Sequence, residues 1–157
     1  MGRIIVRSLG PVRGPWREAA EDYLARLRPR LPITWEERSE VHAPPRAGAA
    51  DEAKVRAKEA ERLLRDLPQG AGVWALDAAG KERTSEEFAE LLAGWRAGQE
   101  ATCIVIGGHL GLDPALRASS ERLSLSRLTF SHLMVPAILF EQIYRAQTIL
   151  DGGPYHR

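Results

Sequence analysis

The chain has 157 residues, 44% hydrophobic and 27% charged, which suits one globular domain with a sizeable core. Its 22 basic and 21 acidic residues leave a formal charge of +1, which excludes a strongly basic nucleic-acid surface but not a local patch. The single cysteine, Cys103, excludes a disulfide framework or a cysteine-based metal site within the chain, and no stretch approaches the ~18 apolar residues of a membrane span. A cytoplasmic protein without a membrane partner is the expectation.

In chain order, Arg3 to Ser8 reads as a short strand, closed by Gly10-Pro11. Pro15 opens a helix in which Trp16, Ala20, Tyr23, Leu24 and Leu27 recur at helical spacing. Ile33 to Glu37 is a second strand, and residues 41–50, VHAPPRAGAA, read as an exposed loop. Asp51 begins a second helix with acidic residues in its first turn and an apolar stripe of Val55, Ala60, Leu63, Leu64 and Leu67. Gly72 to Leu76 reads as a buried strand, followed by Asp77 and a turn over residues 78–81. Thr84-Ser85-Glu86-Glu87 is a capping box, because the Thr oxygen and the Glu carboxylate can each satisfy a helix-start N–H, and Gly98 closes the helix that follows.

Residues 101–111, ATCIVIGGHLG, begin as an uninterrupted apolar run, the pattern of a central strand buried on both faces of a parallel sheet. The run breaks into Gly107-Gly108-His109-Leu110-Gly111, where absent Cβ atoms let backbone groups approach a ligand at the carboxyl end of the strand. Asp113-Pro114 caps a short helix ending near Ser120, Leu123 to Leu125 is the last strand, and Ser131 or His132 leads into a long helix that ends at Gly152-Gly153. Pro136 is tolerable only in that helix's first turn, where donors lack partners anyway. Strands alternate with helices throughout, so the class is α/β: a mainly parallel sheet flanked by helices, in one domain spanning residues 1–157.

Gly107-Gly108-x-x-Gly111 matches neither the dinucleotide nor the phosphate-loop pattern, and a ligand-free tight turn would use the same residues. His42, His109, His132 and His156 have no metal-binding spacing, and no Gly-x-Ser-x-Gly elbow accompanies them, so neither a metal nor a serine hydrolase is expected.

Four ordered segments, IVIGGHLGL (104–112), SLSRLTF (124–130), EQIYRA (141–146) and PYHR (154–157), together with WALDAAGKERTSEEFAELL (74–92), carry a resemblance over nearly the whole chain. They resemble the small SPOUT-class methyltransferases that methylate N3 of a pseudouridine in bacterial large-subunit ribosomal RNA. That resemblance implies a C-terminal part threaded into a trefoil knot, an exception to the rule that chains do not knot. It implies S-adenosylmethionine as cofactor, bound at Leu76, Gly107, Gly108, Leu125, Ser126, Arg127, Leu128, Thr129 and Phe130. It also implies ribosomal RNA within the ribosome as partner. Two departures stand out: Ser131 precedes His132 where relatives usually have Pro, and Pro136 occupies the place of an Arg.

Methylating an imide nitrogen requires alignment of donor and acceptor, removal of the N3 proton and stabilisation of charge on the flanking oxygens. His132 and His156 are candidate bases, Arg145 a candidate for the oxygens and Tyr155 a candidate to stack on the base. A tRNA ribose methyltransferase of the same class is the competing enzyme reading, disfavoured by the lack of an appended RNA-binding domain, and a non-catalytic binding module predicts no cofactor affinity. The helix from Leu133 to Leu150 is apolar beyond a single stripe, with Val135, Ile138, Leu139, Phe140, Ile143 and Ile149. SPOUT relatives bury this helix between subunits, so a homodimer is expected.

Overall fold

A computed structural model describes residues 1–157. In chain order the elements are β1 (Ile4–Gly10), α1 (Gly14–Leu27), β2 (Ile33–Ser39), α2 (Ala49–Leu64), β3 (Gly72–Glu82), α3 (Ser85–Ala97), β4 (Thr102–Val105), α4 (Pro114–Ser119), β5 (Glu121–Ser124) and α5 (Val135–Leu150). The five strands form one sheet in the order β2-β1-β4-β3-β5, every neighbouring pair parallel. The apolar run at residues 102–105 is therefore the central strand, with all four of its residues buried.

Period-two alternation divides the core into two layers. Ile4, Val6, Ile104, Ile106 and Leu123 face α1, α3 and α5, whereas Ile5, Leu9, Cys103 and Val105 face α2 and α4. Cys103 is a buried structural thiol, and burial pushes its pKa up to about 11. No helix is long and apolar enough to cross a membrane.

The two cap motifs form as their residues dictate. Glu87 N–H donates to Thr84 Oγ1 (3.1 Å) and Thr84 N–H to Glu87 Oε2 (2.8 Å), while Asp113 Oδ2 accepts from the N–H groups of Ala115 (3.0 Å) and Leu116 (3.2 Å). Pro136 lies in the first turn of α5 and is buried. Residues 131–134 form a turn that precedes α5 rather than its first coil, so the helix starts later than its sequence pattern suggests.

Two expectations are corrected. The strand beginning at Gly72 does not end at Leu76: Leu76 and Lys81 both pair with Leu123, so residues 77–80 bulge out and β3 resumes through Glu82. The expected turn survives inside the bulge, where Ala79 N–H donates to Asp77 Oδ1 (3.0 Å), and Gly80 lets it fold back. A Cβ at Gly80 would lie 3.0 Å from the backbone carbons of Arg122 and Leu123.

The second correction concerns α5. Leu139, Phe140 and Ile143 are completely buried against α1, α3 and the sheet, so the extra apolar face is largely covered within the chain. What stays partly exposed is an outer stripe with Ile138, Glu141, Gln142, Arg145 and Ile149.

Arg7 lies within β1 but does more than extend the strand. It is 2% exposed and faces α2, with Nε 2.9 Å from Glu36 Oε2 and Nη1 donating to the carbonyls of Leu63 (2.8 Å) and Arg65 (2.7 Å). It thus satisfies orphan carbonyls at the C-terminus of α2, where the helix dipole favours a cation. Arg7→Ala leaves these acceptors unpartnered in the interior, and urea denaturation should record a loss of about 2–4 kcal/mol.

Candidate functional site

The loops at the carboxyl ends of β3, β4 and β5 meet around a cavity of about 430 Å³. An open α/β sheet places ligands at this edge, and the volume is within the range of small-molecule sites. β3 contributes Leu76, Asp77 and Ala78; β4 leads into Ile106, Gly107, Gly108, Leu110, Gly111 and Leu112; the segment after β5 contributes Leu125, Ser126, Leu128, Thr129 and Phe130. Eight of the nine residues expected to hold a cofactor thus share one cavity wall. Arg127 is the exception: its side chain is 86% exposed and reaches Glu82 Oε1 at 3.2 Å instead.

The turn after β4 has a defined geometry. Gly111 N–H donates to Gly108 O (3.0 Å), and Gly111 has φ +80°, a conformation that favours glycine. A Cβ at Gly107 would lie 3.0 Å from Gly111 C and Leu112 Cγ, so this glycine allows the turn to fold against itself. On the β5 side, Ser124 Oγ donates to Ser126 O (2.9 Å), and Leu128 N–H donates to Ser126 Oγ (3.1 Å), curling the segment toward the turn. Leu128 is left 72% exposed at the cavity.

Asp77 and Arg117 also line the cavity, and the sequence reading missed both. Arg117 Nε lies 2.8 Å from Asp77 Oδ2, with Arg122 Nη1 at 3.5 Å. Burial pushes the Asp77 carboxyl up, but the Ala79 N–H and the two guanidinium groups outweigh it and hold the carboxyl below its ordinary value. An acidic residue directly after an apolar strand was the one signal that would have flagged this site.

The four catalytic candidates are not together in one chain. His132 lines the cavity, its Nε2 3.2 Å from Glu40 Oε1 and its ring centroid 6.4 Å from that of His109. Arg145 lies about 15 Å along α5 from Val135, at 1.5 Å per residue. There Arg145 Nη2 is 2.5 Å from Glu141 Oε1, and its guanidinium lies 4.8 Å over the Tyr155 ring. The Tyr155 hydroxyl is 3.0 Å from both Tyr23 Oη and Glu141 Oε1, and His156 Nε2 is 3.0 Å from Glu86 Oε1. Burial, then the contacts with Tyr23 and Glu141, raise the Tyr155 phenol above its ordinary pKa. The tail is thus docked on α1, α3 and α5, with Tyr155 held by an arginine and two hydrogen-bond partners. No group of three potential metal-ligating side chains forms.

Behind the glycine turn sits Glu59, 3% exposed, with Oε2 accepting from Val41 N–H (3.3 Å) and Oε1 without a partner. Burial pushes its carboxyl up, opposed by the Val41 N–H, reinforced by Glu40 and opposed again by His109 and Arg62. The native state therefore keeps a proton over a pH window in which the unfolded chain has lost it, so this group makes stability fall as pH rises through that window. Glu59→Gln should flatten the decline and raise the melting temperature more at pH 7 than at pH 4.5. Equal shifts at both pH values in a calorimetric series would contradict this.

A family model described as "Predicted SPOUT methyltransferase" matches residues 3–156. The chain belongs to the SPOUT methyltransferase family. Its parallel sheet, with the glycine turn and the post-β5 loop meeting at one edge, is the SPOUT-type fold expected from the resemblance. The relative from Symbiobacterium thermophilum named ribosomal RNA large subunit methyltransferase H is 45% identical, the alignment covering 99% of each chain. The protein of that name from Verminephrobacter eiseniae is 40% identical, again over 99% of each. Among solved structures, TrmJ from Z. mobilis ZM4 aligns over 94% of this chain and 70% of its own with TM-score 0.47 and 15% identity.

Proposed function

We propose that this SPOUT family member transfers a methyl group from S-adenosylmethionine to N3 of a pseudouridine in large-subunit ribosomal RNA, acting as a homodimer on the ribosome in the cytoplasm. The observation that carries the reading is the convergence of Leu76, the Gly107–Gly108 turn, Leu125, Ser126 and Leu128–Phe130 on one cavity, in a chain alike end to end with relatives named for that RNA.

The cavity fits the cofactor chemically. Leu76, Ile106, Leu125 and Leu128 supply apolar surface for an adenine, while the glycine turn brings peptide N–H and C=O groups to its polar edge. Asp77 adds a carboxylate held in its ionised form, suited to a positively charged ligand. When bound, S-adenosylmethionine supplies an electrophilic methyl carbon on a sulfonium sulfur.

The chain's own residues orient the acceptor and manage its proton. His132, the one histidine on the cavity wall, is the candidate to accept the N3 proton. Arg145, with Tyr155 and His156, offers cationic and aromatic surface to the nucleobase, and a second copy against the outer stripe of α5 is the arrangement that would bring that cluster to the partner's cavity. The interface would then complete the RNA site. Calorimetric titration with S-adenosylmethionine, followed by transfer of labelled methyl to intact ribosomes and to free ribosomal RNA, tests the reading. Neither cofactor binding nor transfer to either substrate would leave a non-catalytic module.

A further inference from the structure

The end of β2 is clamped on α2. Arg62 Nη1 donates to the carbonyls of Ser39 (2.9 Å) and Glu40 (2.7 Å), and Val41 N–H donates to the buried Glu59 Oε2 (3.3 Å). Glu40 is therefore presented from a backbone bonded at its own carbonyl and at both neighbours. Its carboxylate reaches across to His132, with Oε1 3.2 Å from Nε2. Neither Glu40 nor Glu59 lines the cavity, whereas His132 does.

We propose that Glu40 is a positioning residue for His132, fixing its ring and tautomer so that Nδ1 accepts the proton from the substrate's N3–H; this rests on the methyl-transfer reading above. An ionised carboxylate only accepts hydrogen bonds, so the shared hydrogen belongs to Nε2. In the neutral ring Nδ1 then holds the free lone pair. When the N3–H bond breaks, its proton forms the Nδ1–H bond. The N3 lone pair forms the bond to the methyl carbon as the carbon–sulfur bond breaks, its electron pair remaining on sulfur. The positive charge that began on sulfur ends on the imidazolium, beside the Glu40 carboxylate. Charged and titratable groups around the pair are His109, Glu59 and Arg62, and none of them replaces the 3.2 Å contact.

A double-mutant cycle separates a residue acting through His132 from one that merely stabilises the fold. Glu40→Ala and His132→Ala should each lower kcat on ribosomes about 100-fold, the scale of a lost general base. The double variant should be no slower than His132→Ala alone. Glu40→Gln, whose amide oxygen still accepts from Nε2–H, should retain more turnover than Glu40→Ala, and S-adenosylmethionine affinity should stay within about twofold in both Glu40 variants, since Glu40 does not line the cavity. Equal losses from Glu40→Ala in the wild-type and His132→Ala backgrounds would overturn the proposal, as would full turnover in either single variant. Wild-type protein that binds cofactor but methylates no RNA would instead sink the reading on which the proposal rests.

Discussion

Replacing Gly107 with valine is expected to abolish S-adenosylmethionine binding, raising Kd more than 100-fold. The cause lies first in the turn itself. A Cβ at Gly107 would sit 3.0 Å from Gly111 C and 3.1 Å from Leu112 N, and backbone atoms cannot rotate aside as a side-chain tip can. The segment 108–112 must shift, and with it the peptide groups on which the cofactor's polar edge depends. Overpacking of this kind costs about 1–3 kcal/mol, so the core of β1, β3 and β4 should remain folded. Gly111→Ala is the contrasting variant. It is strained by its φ of +80°, yet its Cβ would meet nothing within 4 Å, so weaker binding without loss is expected. Calorimetry beside thermal melts reads both, and a Gly107→Val protein that binds within threefold of wild type would refute the site.

What could be read from the sequence was local. The Thr84–Glu87 box and the Asp113–Pro114 cap are each satisfied by residues a few positions away, and the apolar run at 102–105 shows its burial on both faces by its composition alone, so pattern and structure coincide. Likewise, the glycine turn and residues 125–130 lie at strand ends, and a parallel sheet brings such ends to one edge. Arg7 and Glu59 were not legible because their surroundings come from distant elements: the partners of Arg7 are Glu36 and the end of α2, and Glu59 lies under Gly108. The β3 bulge is not legible in the sequence because two positions, Leu76 and Lys81, pair with the same Leu123 of a distant strand. Periodicity in α5 counted the apolar faces but could not say whether its own chain or another would cover them.

That last ambiguity sets the dimer experiment. Ile143 is completely buried inside the chain, so Ile143→Glu would unfold the protein and report nothing about association. Ile138 lies on the partly exposed outer stripe and is the position to charge. Light scattering at micromolar concentration should give twice the 17.4 kDa chain mass for the wild type, and one chain mass for Ile138→Glu. A stable isologous interface buries at least about 1,000 Å², and a charge introduced within it is desolvated without a partner in each protomer. The monomer should still bind S-adenosylmethionine, since one chain forms the whole cavity, yet methylate ribosomes poorly.

Removing residues 154–157 supplies the complementary defect. It deletes the contacts of Tyr155 with Tyr23 and Glu141, at a cost of about 1–2 kcal/mol or roughly 3–6 °C, while leaving the cavity intact. If the tail serves the partner's cavity, the truncated chain and Gly107→Val, each inactive alone, should regain turnover when mixed. In the mixed dimer the truncated chain contributes an intact cavity and the Gly107→Val chain an intact tail, which together make one complete site. Recovery is impossible if cavity and tail must belong to the same chain, because neither variant then has both. A monomeric wild type with full turnover, or mixtures no more active than their parts, would mean that the cluster at Arg145, Tyr155 and His156 serves its own chain.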